Sequence, residues 1–300
     1  MIELSPVLGE LLGTSDLKRI VERIHKLPSL SQVVTRILAL ARDPRSGAGD
    51  LKRVIELDPA LSLKVLRLVN SSFYGYTGKI RNVAQAVVIL GFDSIKSIAL
   101  SASVIELFKG FKKNSTLFNH ERFWLHSIGV GASARLIATD TKIEDPESLF
   151  FVGLIHDLGK MIMNQYAHEE FEAALRCAID NDLLLLDAEM QILGTSHVHV
   201  GRWLAARWNL PEDIVDAIGC HHQPTLSRKA PQLASAVHLA DFLVHTAKIG
   251  QSGNGRAPEL DPSAMEILST SRDLIEATLP QLNEAMAKAE GFIADPRETP

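Results

Sequence analysis

The sequence predicts an all-α protein, and three observations carry that prediction. Apolar residues recur at i, i+3 and i+4 through most of the chain, no alternating apolar and polar run competes with them, and helix-start and helix-stop residues punctuate the pattern. No GxGxxG or GxxxxGK[ST] run is present and strands do not alternate with helices, which excludes the usual nucleotide-binding α/β folds. The chain has 300 residues, of which 46% are apolar and 22% charged, enough to bury a substantial core and to exclude wholesale disorder.

The elements follow in chain order. Leu27-Pro28-Ser29 opens a helix carrying Val33, Val34, Ile37, Leu38 and Ala41, and Asp43-Pro44 stops it. Asp58-Pro59 starts a second with an apolar stripe of Leu61, Val65, Leu66 and Val69, ended by Asn70-Ser71-Ser72. After a loop with Gly75 and Gly78, Asn82 caps a helix that Gly91 ends, and Asp93 caps another through Ile95, Ile98, Val104 and Leu107. The helical period resumes near Arg122, and then spans Leu149 to Met163, Phe171 to Leu186, Asp187 to Trp208, Pro211 to His221 and Leu233 to Thr246. Gln251 to Pro258 is a flexible linker by composition, and Pro262 to Ala294 a last helical hairpin or tail.

Charge and cysteine usage narrow the class. A net charge of −5 lacks the footprint of a phosphate-backbone binder, so no nucleic-acid partner is expected. The two cysteines, Cys177 and Cys220, form no CxxC, which excludes a disulfide scaffold and a zinc ribbon and fits a reducing compartment. The N-terminus has no basic n-region and no apolar run approaches about 18 residues, so neither signal peptide nor membrane span is expected and the location expected is cytoplasmic.

Ten of the eleven histidines fall between His120 and His245. The sharpest run is Gly153-Leu-Ile-His156-Asp157-Leu-Gly-Lys160, an adjacent His and Asp in an otherwise apolar helix. A buried, unpaired carboxylate costs several kcal/mol, so Asp157 should have a cation, a metal or strong donors beside it: Lys160 is one candidate partner and a metal the other. His126, His197, His221, His222 and Asp241 extend the set. Imidazole with carboxylate suits iron, zinc, manganese or nickel, and seven donors exceed the four of a structural zinc, which points to two ions with Asp157 able to bridge them.

Other features have plainer readings. Phe73-Tyr74-Gly75-Tyr76 is read as a loop anchoring aromatics in the core, Trp203 and Trp208 as core, and Lys109, Lys112 and Lys113 as a solvated helix end. A Cys220-His221 nucleophile is disfavoured because consecutive helix residues point about 100° apart. His199 faces away from His197, and His238, one turn before Asp241, is placed to support the ligands.

The pattern His126, His156-Asp157, Asp241 resembles the HD superfamily of metal-dependent phosphohydrolases. Leu27-Pro-Ser-Leu30, Ile55-Glu-Leu-Asp-Pro-Ala-Leu-Ser62, Val69-Asn-Ser-Ser-Phe-Tyr-Gly75 and Ala86-Val-Val-Ile-Leu-Gly91 resemble, more narrowly, the HDOD family, the HD-related output domain of bacterial signalling proteins. The resemblance implies a helical bundle in which His126, His156, Asp157 and Asp241 hold one metal. The dinuclear HD-GYP relatives add positions matching His197, His221 and His222, and their HDxGK lysine, matched by Lys160, faces the substrate phosphate. Asp157 and Lys160 are therefore the expected catalytic residues. Gln223-Pro-Thr-Leu226 follows His221-His222 where those relatives carry Gly-Tyr-Pro, and Arg122 stands where trinuclear relatives carry glutamate. The implied organisation is a segment 1–14, an N-terminal helical subdomain 15–119, a metal-binding subdomain 120–250, and a linker and helical tail 251–300. The implied role is bacterial signal transduction through a signalling-protein partner or a small phosphorylated or nucleotide ligand. The alternative is phosphohydrolysis or phosphodiester cleavage through a metal-activated water.

Overall fold

The computed structural model describes residues 29–288, except 44, 75, 77, 112–114, 144 and 257, and among them every regular element is helical. The expected segment 1–14, the subdomain start at Ser15, Leu27-Pro28, Lys112, Lys113 and Gly75 lie outside the described residues.

Four helices come first: α1 (Gln32–Arg42), α2 (Ala48–Glu56), α3 (Pro59–Val69) and α4 (Val83–Phe108). Their starts are set by side-chain caps. Ser31 Oγ accepts from Val34 N at 3.3 Å, an Asp58 oxygen from Leu61 N at 3.0 Å, and Asn82 Oδ1 from Gln85 N at 2.8 Å. As expected, Gly91 interrupts the helix that Asn82 begins: at φ +85 it kinks α4, and a long apolar helix resumes at once behind it. Val83–Phe108 is long and apolar enough to cross a membrane by length and composition, but half of its most apolar stretch is buried inside the bundle. α4 packs on α2 and α3. It also packs on α6, where Ser97 Oγ donates to Glu147 O at 2.8 Å and Lys96 Nζ lies 3.2 Å from Asp145 Oδ2.

The second half is built round α5 (His120–Asp140), which packs against α6 (Pro146–Ile155) and α12 (Pro231–Thr246). Between them run α7 (Leu158–Tyr166), α8 (His168–Asp180), α9 (Leu185–Leu193), α10 (His197–Arg207) and α11 (Glu212–Cys220). Short helices α13 (Pro262–Ile267), α14 (Arg272–Glu276) and α15 (Leu279–Ala287) close the described chain. Trp203 and Trp208 are buried, and Phe73 is buried with its ring centroid 5.7 Å from that of Phe150, as read from the sequence.

Three helical stretches read as continuous are broken. Leu149 to Met163 divides at His156-Asp157, which cap α6 and α7 instead of lying mid-helix. Phe171 to Leu186 divides at Asn181-Asp182, with Asp182 at φ +51. Asp187 to Trp208 divides at Gly194, at φ +68, ahead of α10. The segment 251–258 also differs from a solvent-exposed linker: Ser252 is fully buried and Gly253 buried against the helices. The tail packs on the bundle as well, α15 lying against α5 with Leu282 fully buried.

Candidate metal centre

The break between α6 and α7 gives the centre its shape. Successive residues of one helix point about 100° apart, whereas the turn lets both His156 and Asp157 face the same interior. α7 then crosses α10 so closely that a Cβ on Gly159 would lie 1.9 Å from His197 O and 2.8 Å from Gly201 N. That approach brings His197 Nε2 to 3.3 Å from Asp157 Oδ1. α5 supplies His126, the end of α11 supplies His221 and His222, and α12 supplies Asp241. All the sequence-named donors converge, and all but the half-buried His222 are buried.

The donors fall into overlapping groups, and within each group the candidate ligand atoms lie within 4.8 Å of one another. They are Asp157, His197, His221 and His222; His126, His156 and Asp157; and His126, Asp241 and His245. Asp157 belongs to two of them. His126 Nε2 is 3.1 Å from Asp241 Oδ1, His156 Nε2 is 3.4 Å from Asp157 Oδ2, and His221 Nε2 is 3.8 Å from Asp157 Oδ1. None of these three contacts has the geometry of a hydrogen bond, the last being too long, and His126 Nε2, His156 Nε2, His221 Nε2 and Asp157 Oδ1 are buried polar atoms with no hydrogen-bond partner.

The far side of each ring explains which nitrogen is left over. His156 Nδ1 donates to Gly153 O at 2.7 Å and His221 Nδ1 to Ile218 O at 2.8 Å; a carbonyl only accepts, so in the neutral rings Nε2 is bare. His197 Nδ1 donates to Glu189 Oε2 at 2.6 Å, and the same oxygen accepts from His197 N at 2.9 Å. Bare Nε2 atoms, oriented from behind and facing a shared carboxylate, fit a divalent metal ion. His197 Nε2 and His222 Nε2, 3.0 Å apart, complete that side.

Electrostatics agree with this chemistry. Burial would raise Asp157, but His156, Lys160 and His197 around it hold the carboxyl well below the usual range. Burial would likewise raise Asp241, and His245 and His126 hold it well below. Burial pulls His126 down to about 4 and His221 to about 3, and it pulls His222 well below the ordinary imidazole value, so these rings are neutral and able to ligate. Burial opposes charge on His156 too, but Asp157 beside it wins and raises it; Asp241 does the same for His245.

Lys160 is fully buried, its Nζ 2.6 Å from Asp157 Oδ2, 3.3 Å from Asn254 Oδ1 and 3.4 Å from Ser252 Oγ. The cation and metal readings of Asp157 are therefore compatible: Oδ2 takes the lysine while Oδ1 faces His197 and His221. His238 is turned to support, its Nδ1 donating to His221 O at 2.9 Å and its Nε2 accepting from Asp261 N at 2.9 Å. His199 is exposed, as expected from its position two residues after His197.

Sequence reasoning missed Glu189, His245, Ser252 and Asn254. Glu189 had a legible signal: it falls between Leu185 and Leu193 on the buried stripe of α9, where an acid needs a partner. His245 lies one turn after Asp241, close enough on α12 for its Nδ1 to reach Asp241 Oδ1 at 3.0 Å. Two cavities meet at His222 and Gln223. One, of about 400 Å³, is walled by Leu184, Asp187, Asn254 and Arg256. The other, of about 910 Å³, carries Arg202, Arg228 and Lys229 beside Met190 and Leu226.

Comparison with known proteins agrees with this architecture. The HDOD domain family matches residues 27–224. An uncharacterized protein of Treponema pallidum is 26% identical over 232 residues, covering 75% of this chain and 43% of that protein, so the chain spans less than half of that curated relative. The crystal structure of an HDOD domain protein of unknown function from Geobacter sulfurreducens is similar at a TM-score of 0.82 and 26% identity, over 92% of this chain and 97% of that one. A candidate signal transduction protein from Marinobacter aquaeolei VT8 shares the fold at a TM-score of 0.79 and 22% identity, over 98% of this chain and 68% of that one. With its helical bundle and two thirds of its length matched, the chain belongs to the HDOD domain family.

Proposed function

We propose that the chain is a cytoplasmic signal-transduction protein whose centre holds two divalent transition-metal ions, iron first among iron, manganese, zinc and nickel, and binds a small phosphorylated or nucleotide ligand. The carrying observation is Asp157, shared by two donor groups in which Asp157 Oδ1 and the Nε2 atoms of His126, His156 and His221 are buried and without a hydrogen-bond partner. His197, His221 and His222 would hold one ion and His126, His156 and Asp241 the other, with Asp157 between them. Two such ions supply Lewis acidity toward a phosphoryl group.

The chain's own residues divide the remaining work. Glu189 orients His197, and Lys160 keeps Asp157 charged and in place; its three N–H donors already go to Asp157, Ser252 and Asn254, so a phosphate contact by Lys160 would require it to give up one of them. Arg202, Arg228 and Lys229 line the larger cavity that ends at His222 and suit a phosphate group, while Met190 and Leu226 beside them suit an apolar or ring moiety. The free thiols Cys177 and Cys220 fit a reducing cytosol. Because both cavities reach the centre at His222, hydrolysis of a phosphoester is the second reading.

Elemental analysis of protein purified without added metal or chelator tests the centre. Near two equivalents of transition metal in the wild type, falling sharply in Asp157→Ala, is the expected result; metal-free protein that remains folded would overturn it. Incubation of the loaded protein with nucleoside phosphates and cyclic nucleotides then separates the readings. Binding without consumption supports sensing, and turnover supports hydrolysis.

A further inference from the structure

We propose that Asn254 is a positioning residue that completes the centre from outside the matched family region: it closes a relay, Lys160–Asn254–His245, tying the carboxylate of Asp157 to that of Asp241. The inference rests on the two-metal reading above. Lys160 Nζ donates to Asp157 Oδ2 at 2.6 Å and to Asn254 Oδ1 at 3.3 Å. Asn254 Nδ2 donates to His245 Nε2 at 3.2 Å, and His245 Nδ1 donates to Asp241 Oδ1 at 3.0 Å.

The direction of each bond is forced. A lysine ammonium only donates, so the amide oxygen of Asn254 must face it and the NH₂ must face His245. In the neutral ring His245 Nε2 then accepts, which leaves the ring hydrogen on Nδ1 to be donated to Asp241. No other assignment satisfies every contact, and reversing the amide would break both of its bonds.

The backbone holds Asn254 to this task. Gly250 has φ +64, and a Cβ there would lie 2.3 Å from His126 N and 2.4 Å from Arg122 O. Gln251 N donates to Arg122 O at 2.9 Å, and Ser252 is fully buried. The segment is thus pinned along α5 beside His126 before it reaches the centre. The matched family region ends at residue 224, so its pattern assigns Asn254 no part.

Cobalt(II) titration of the full chain tests the relay, read by equilibrium dialysis and by the d–d absorption bands, which report ligand geometry. Asn254→Ala should weaken cobalt binding about 10- to 100-fold, as loss of a ligand-orienting partner does, and should shift the bands. Asn254→Leu, of similar size, removes both the acceptor for Lys160 and the donor to His245, so it should show a loss of the same kind. Since both side chains act through one relay, Asn254→Ala with His245→Ala should bind no more weakly than His245→Ala alone. Unchanged affinity and bands in both Asn254 variants, or additive losses in the double variant, would overturn the relay while the two-metal centre stands. A wild type that takes up no cobalt would overturn both.

Discussion

Glu189 is fully buried and spends one carboxylate oxygen twice on His197, on the backbone N–H and on Nδ1. Glu189→Gln keeps the shape but removes the charge that holds Nδ1–H, so His197 loses both its fixed ring orientation and part of its basicity. Metal content after dialysis against a weak chelator should fall about 10- to 100-fold in affinity terms, and wild-type retention would remove Glu189 from the centre. Asp216 shows a carboxylate with a different duty. Burial opposes its charge, but Ser227 Oγ at 2.7 Å, Lys229 N at 2.8 Å and Ala230 N at 3.3 Å donate to one oxygen and lower it. A carboxyl lowered by folding adds stability that is present above its unfolded value, near 4, and that is lost as pH falls through the folded value. Asp216→Asn should therefore cost about 1–3 kcal/mol at neutral pH, with the gap to wild type closing below about pH 4. Urea melts at pH 7 and pH 3.5 check this, and a gap independent of pH would show that charge is not the cause.

At the scale of elements, the α7/α10 crossing sets the distance between Asp157 and His197. The atoms that a Cβ on Gly159 would meet are backbone, His197 O at 1.9 Å and Gly201 N at 2.8 Å, so no side chain can yield and the helices must separate. Gly159→Ala should cost about 1–3 kcal/mol, the range for overpacking, and should also lower metal content. Gly201→Ala meets nothing nearer than Ile218 Cγ2 at 3.3 Å and should cost less; equal effects in denaturant melts would deny that the crossing is special. This scale also shows what the sequence makes legible. The caps at Ser31, Asp58 and Asn82, and the polar pair His156-Asp157 in an apolar run, can be read because the chemistry is local. The break between α6 and α7 cannot, because apolar period runs unbroken from Leu149 to Met163 with no Pro, and only the converging donors make the turn worthwhile. The segment carrying Asn254 is hidden for the opposite reason. Its Gly, Ser and Asn are the residues of a linker and of a tightly packed strap alike, and composition does not say where backbone hydrogen bonds go.

For the whole molecule, the donors come from α5, the α6/α7 turn, α10, the end of α11 and α12, so bound ions would cross-link elements far apart in sequence. Metal that binds only the folded state stabilises it by mass action, about 2.7 kcal/mol at a free concentration 100 times Kd. Zinc fingers depend on their ion for folding altogether, but here the chain buries a large apolar core of its own. Phe118, Phe123, Phe150 and Phe171 are fully buried, and α1 to α3 have their own buried stripes and supply none of the donors. Chelation should therefore lower the melting temperature without unfolding the protein at 25 °C, and re-addition of cobalt(II) should restore it in a concentration-dependent way. Asp157→Ala should lose most of that cobalt-dependent rise, because the residue shared by two donor groups is gone. Calorimetric scans of both proteins with and without cobalt check the linkage, and a rise of equal size in the variant would place the stabilising ion somewhere other than this centre.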